Sequence, residues 1–205
     1  VPVLNNDSDD GNALYAGAIS VTVPPSNGTV SLAAAHRLLR FDLAIERDRN
    51  EEFGWLDITH VMTYANAARW AWTYAPGPRA ARLVLLTAFL AFDSGRGERR
   101  IRRHDTVLPQ PAAGDIVAAV IESRPEDAVA AALAGPAATV ADQLEQASLE
   151  DTAGSFIVMA HLVKTAVAAR EESAATGSLL PLAAAARFLA GPRAERFVTG
   201  AAREA

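Results

Sequence analysis

Apolar residues recur along this chain at helical spacing, and Gly, Pro, Asn and Asp divide them into short segments. SLAAAHRLLRFDLAIERD reads as one helix with Ser31 as its N-cap. Leu32, Ala35, Leu39 and Leu43 fall on its inner side, with His36 next to them. Asp57 is placed to cap DITHVMTYANAARWAWTYA, which ends before Pro76, Gly77 and Pro78. GPRAARLVLLTAFLAFD is the most hydrophobic segment and is expected to be the central helix. It runs into SGRGERRIRRHDTVLPQP, read as a basic connection. GDIVAAVIESR, PEDAVAAALAG and PAATVADQLEQASLE follow as helices, the last with Val140 and Leu144 inward. SFIVMAHLVKTAVAA comes next in a helix ended by Gly177, and SLLPLAAAARFLAG and PRAERFVTGAAREA close the chain as two more.

The expected fold class is therefore all-α: a compact array of antiparallel helices and helical hairpins with an irregular N-terminal arm. Residues 1–29 are rich in Asn, Asp, Gly and Pro and form the arm or linker, in which AISVTV is the one candidate strand. Residues 30–205 form the helical domain. No fixed repeat period makes it a solenoid. At 205 residues one substantial domain is the natural division.

Composition narrows the chemistry. The net charge of -5 gives no support to nucleic-acid binding. No apolar run has the length and flanks of a membrane span and no signal peptide is visible, so a cytoplasmic location and no membrane partner are expected. The chain opens at Val1 without an initiator Met, which suggests that something precedes it. With no cysteine, disulfides, thiolate metal sites and Cys-ligated clusters are excluded, so a metal would need nitrogen and oxygen ligands.

One lysine stands against 18 arginines, and it lies in the apolar run Ser155 to Ala169. His161, Lys164 and Thr165 are three and four positions apart, which puts them on one side of a helix. A desolvated amine escapes its cost by becoming neutral. It then pairs with an anion, forms a Schiff base, or takes up carbon dioxide as a carbamate. The plainer account is a lysine that buries its stem and keeps its head in water. His36, His60 and His161 sit in apolar helical runs, while His104 closes the basic connection. Each alone suits an ordinary core or surface role, but together they match the way helical bundles build metal sites from facing helices. There is no phosphate loop, no GxSxG elbow and no HExxH motif.

WLDITHVMTYANAARWAW, followed a hundred residues later by MAHLVKTAVAARE, resembles the questin oxidase-like proteins, fungal anthraquinone ring-cleaving enzymes and their bacterial relatives. The resemblance implies a helical protein of secondary metabolism with a mononuclear non-heme iron held by four histidines and, in a ring-cleaving dioxygenase, a carboxylated lysine. It assigns His60, His161 and Lys164 by motif, and His36 and His104 as the histidines that remain. Lys164 and Tyr64 become the catalytic candidates. The implied cofactor is Fe(II), with zinc or manganese as substitutes, and dioxygen is the cosubstrate. The implied partner is a small aromatic substrate placed against Tyr64, Trp70 and Met159. Family members are about twice this long, so the match covers what looks like their second half. A second chain supplying the N-terminal half, and with it further ligands, follows as an expectation.

Three functional readings result. The first is a non-heme iron oxygenase, monooxygenase or dioxygenase, that oxidises or cleaves a ring of an aromatic quinone or polyketide-like metabolite. The second is a non-catalytic helical module with structural histidines, docking a partner through Arg99 to Arg103. The third is a Schiff-base enzyme using Lys164.

Overall fold

A computed structural model describes residues 28–48, 51, 53–101, 108–150 and 156–191. Among the described residues the fold is all-α, with no strand. The helices are α1 (28–40), α2 (Leu43–Arg47), α3 (Trp55–Tyr74), α4 (Pro78–Ile101), α5 (Ile116–Ile121), α6 (Pro125–Ala134), α7 (Ala137–Leu149), α8 (Phe156–Thr176) and α9 (Leu180–Ala190). The candidate strand AISVTV, the cap Ser155, Arg102, Arg103 and His104, and the expected last helix lie outside the described residues. No described helix is long and apolar enough to cross a membrane.

The core is built around α9, every residue of which is buried from Pro181 to Ala190. It packs against α5, α6, α7 and α8. Small side chains let helices approach closely, and the run Ala183 to Ala186 supplies them on all sides. This corrects the expectation that the LVLLTAFLAF helix is central. That segment is α4, which packs on α3 while Leu85, Leu86, Phe89 and Phe92 face outward.

Local chemistry explains most boundaries. Gly54 starts α3, and the carboxylate of Asp57, three residues on, accepts its N–H at 2.8 Å. Asp57 is thus the returning half of a capping box and not the cap itself. Asp115 caps α5 by accepting from Ala118 N at 3.0 Å. Beyond α5, Ser123 N–H meets the Val120 carbonyl and Arg124 N–H meets the Ala119 carbonyl, a Schellman arrangement with Ser123 at φ 54°. Gly177 takes the same left-handed conformation after α8, at φ 67°.

Two expectations about the first half fail for identifiable reasons. Ser31 does not cap α1. It lies within the helix, fully buried, and its hydroxyl donates to Glu172 at 2.7 Å. The first helix also breaks at 41–42, where Asp42 accepts from Ala44 N and opens α2. The inner side of α1 is Ala34, Ala35, Leu38 and Leu39, while Leu32 and Leu43 are half-buried.

The basic connection was expected to begin at Ser94, yet α4 continues to Ile101 through Gly95 and Gly97. A Cβ on Gly95 would lie 2.6 Å from the Arg37 guanidinium, and one on Gly97 would lie 2.5 Å from the Phe53 ring. Close packing therefore offsets the helix-weakening effect of both glycines. Glu98, one residue further on, is buried and takes two hydrogen bonds from Arg40, at 2.8 and 2.9 Å. Arg37 adds a third contact at 3.3 Å.

Two further buried charges tie helices together. Arg187 on α9 donates to the carbonyls of Leu38 and Phe41 at 2.8 and 2.7 Å, satisfying carbonyls at the end of α1. Its guanidinium also lies 5.6 Å from the centre of the Trp55 ring. Glu172 on α8 has no exposed surface and accepts from Ser31, Asn66 and Arg69. Removing one partner of a buried pair costs about 3 to 5 kcal/mol. Because Arg69 is 26% exposed and can rehydrate, Glu172→Ala is expected to cost about 3 kcal/mol in urea unfolding, at the lower end of that range. A loss below about 1 kcal/mol, the size of an ordinary hydrogen bond, would show that the carboxylate is not a tie.

Candidate functional site

α3 packs against both α4 and α8. His60 on α3 meets His161 on α8, and six residues later Asn66 meets Glu171 and Glu172, so the two helices advance in the same direction. This parallel pairing brings together residues about a hundred positions apart in sequence. A groove of about 900 Å³ lies along it. His60, Thr63, Tyr64, Asn66 and Ala67 come from α3, Leu90 from α4, and Ala160, Val163, Lys164, Val167 and Ala168 from α8.

The centre of the site is the imidazole pair. The Nε2 atoms of His60 and His161 are 2.9 Å apart, with ring centroids at 5.1 Å. His161 Nδ1 lies 2.7 Å from the Ile157 carbonyl, which can only accept, so this nitrogen carries the proton. The lone pair of neutral His161 is therefore at Nε2, aimed at His60. A backbone carbonyl holding the far ring nitrogen in this way is the usual orienting device for a ligating histidine. With no metal between them, the same geometry is an N–H···N hydrogen bond in which His60 donates.

Electrostatics favour neutral bases here. Burial, followed by the nearby Lys164 and His161, pushes the His60 imidazole below its ordinary value, and Asp57 opposes this. Desolvation alone lowers the Lys164 amine. Lys164 is nevertheless not hidden: it is exposed, as are Ala160, Val163 and Val167 around it. The reading of α8 as a buried helix is corrected accordingly. Its outward stripe is apolar because it forms one wall of the groove, and the lysine stem lies along that wall. Thr165, expected to share the site, points into the core with its hydroxyl unpartnered among the described residues.

The remaining candidates are scattered. His36 is exposed on α1, and His104 lies outside the described residues. Among the described residues no three His, Asp or Glu side chains converge in a way that could hold a metal ion. The expected four-histidine set is therefore not assembled within them. Tyr64 is half-buried and lines the groove. Trp70, expected as a substrate wall, is 53% exposed and stacks on Tyr74 with centroids 4.3 Å apart. Met159 packs against the core and is only partly buried.

A second, more polar cavity of about 560 Å³ shares His60 and Leu90 with the groove and adds Phe53, Asp57, Asp93, Ser94, Arg96 and Gly97. Sequence reasoning missed it, because Asp93 and Ser94 were read as the end of a helix. It also missed the Glu171–Glu172 pair, although two adjacent carboxylates in an Ala-rich helix were a usable signal. Comparison with family models, curated proteins and solved structures finds no match for this chain.

The pair gives a pH prediction for the metal-free protein. The unfolded-state value for His60 is 6.5, and the folded-state value is lower. Below 6.5 the unfolded chain binds more protons than the folded one, so stability falls as pH drops from there toward the folded pKa and is unaffected above it. His161 and Lys164 from α8, Asp57 on α3, and Asp93 and Arg96 from α4 are the charged or titratable groups that border this imidazole. Melting temperature in chelator should fall as pH drops below about 6.5, and His60→Gln should flatten that slope. Equal slopes in both proteins would remove His60 as the cause.

Proposed function

We propose that the groove between α3, α4 and α8 is the substrate site of a non-heme iron oxygenase acting on an aromatic quinone or polyketide-like metabolite. The observation that carries this reading is the His60–His161 pair. Their Nε2 atoms lie 2.9 Å apart, close enough for both to be offered to one ion. His161 already has its far nitrogen engaged by a carbonyl, and the depressed His60 pKa keeps the second imidazole unprotonated. Both properties are what a metal requires of histidine.

Lys164 lies one turn beyond His161 and opens into the same groove. Desolvation raises the fraction of amine that has given its proton to water, and that neutral amine would add carbon dioxide and release a second proton to become an anionic carbamate. His60, His161 and carboxylated Lys164 are the ligands this chain would contribute. Fe(II), or zinc or manganese in its place, would need further donors from His104 or from a second chain. Bound iron would supply activation of dioxygen. The chain's own residues would hold and shield the substrate: Leu90, Val163 and Val167 offer an apolar bed, and Tyr64 a ring with a hydroxyl.

A tag-free preparation should bind about one iron per chain, and His161→Ala should weaken binding by more than the roughly 10- to 100-fold that loss of an outer-shell partner costs. Lys164→Ala should also lower metal affinity, whereas the wild-type protein should gain affinity in bicarbonate. Failure of the wild-type chain to retain any added iron, zinc or manganese in equilibrium dialysis would defeat the proposal.

The second reading, a non-catalytic helical module with structural histidines, is favoured by the apolar side chains left open on α4 and α8. It requires only the N–H···N bond between the two rings. The same dialysis separates the two, since a module would leave the histidines without a metal.

A further inference from the structure

α4 is apolar on two opposite sides. Ala80, Ala81, Val84 and Thr87 face the body, while Leu85, Leu86, Phe89 and Phe92 face away, the phenylalanines at 61% and 59% exposure. At about 100° per residue, Phe89 lies diametrically opposite the strip between Val84 and Thr87. An apolar stripe on the open side of a helix, edged by charged residues, is normally covered by another surface.

We propose that this outer face of α4 pairs with the same face of a second copy of the chain, antiparallel about a two-fold axis. Arg82, Leu86, Phe89 and Asp93 follow one another at spacings of four, three and four, the seam of a helix pair. An axis between positions 87 and 88 sets Leu86 against Phe89 and Arg82 against Asp93, each contact made twice. The stripe is thus complementary to itself, which a two-fold interface demands. A parallel pairing in register would instead set Arg82 on Arg82 and Asp93 on Asp93. Arg79 and Arg96 meet at the ends of the antiparallel seam, where both are exposed and Arg96 keeps its own Asp93 at 3.9 Å. Water and salt screen like charges in such places.

The area sets the strength. A phenylalanine buries roughly 150 to 250 Å² when covered, so two copies contribute on the order of 400 to 600 Å² from Phe89 and Phe92 at their observed exposures. The leucines and the flanking pairs bring the total to the low end of a specific interface, about 1,200 Å². Association is therefore reversible and dependent on concentration.

Sedimentation of the full chain across two decades of concentration tests the proposal. The wild-type protein should pass from one chain to two, and Phe89→Glu should remain a monomer with unchanged helicity, since that side chain already faces water. Arg82→Asp or Asp93→Arg alone should weaken the dimer about tenfold, by turning two surface attractions into repulsions. The double variant Arg82→Asp/Asp93→Arg should recover wild-type association. A wild-type chain that stays monomeric throughout, as it would if another molecule covers this face, overturns the proposal. So does a dimer that survives Phe89→Glu, or a double variant no tighter than the singles.

Discussion

The carboxylate of Glu172 is the constraint on which the rest of the arrangement depends. It is fully buried, and it accepts from Ser31 on α1 and from Asn66 and Arg69 on α3. Burying such a charge costs several kcal/mol unless its hydrogen bonds are good, so other placements of α8 are strongly disfavoured. An apolar seam between Ala-rich helices could slip by a turn at small cost. This carboxylate cannot follow such a slip without losing its donors. His60 lies on the same helix as Asn66 and Arg69, and His161 on the same helix as Glu172. The meeting of the two imidazoles is therefore a consequence of a charge buried well away from them. Arg187 plays the matching part for α9, joining it to the end of α1 and the start of α3.

With α3 fixed as the floor, His60 becomes the partition between two unlike spaces. One side is the largely apolar groove bordered by Val163, Val167 and Leu90. The other is bordered by Asp57, Asp93, Ser94 and Arg96. The lowered pKa of His60 is dominated by burial, with Lys164 next. Of the groups that shift it, Asp57 alone favours the proton, and that carboxylate is already engaged by Gly54 N–H at the start of α3. The capping chemistry of a helix and the protonation of the candidate site are linked through one side chain.

Much of this was legible in the residues. The all-α class followed from helical periodicity and the ends of α6 and α8 from Gly135 and Gly177, because helix breakers act locally. The pairing of the DITH and HLVK segments was also anticipated, although through a resemblance and not through periodicity. What could not be read was any feature set by a distant partner. Gly95 and Gly97 looked like a helix end, and only Arg37 and Phe53 show why the helix passes through them. Ser31 looked like a cap, and only Glu172, far along the chain, gives it another task. The exposure of Lys164 was hidden for a related reason. An apolar stripe reads the same whether it faces a core or lines a groove, and hydrophobicity records no difference between the two.

The choice of lysine at position 164 then has a physical interpretation. Eighteen arginines show that this chain readily uses guanidinium for its cations, including the buried one at Arg187 and the half-buried one at Arg69. Guanidinium stays charged in nearly any environment, whereas an amine loses its proton when desolvated. His60 and Lys164 thus bring two nitrogen bases to one groove, with His161 in contact with His60 behind them, and Lys164 and His161 each disfavour a proton on His60. A purely structural pair of histidines would gain nothing from a third base, and an arginine there would serve packing equally well. Charge on either neighbour disfavours a proton on His60, which leaves the lone pair of that imidazole open to an electron-pair acceptor.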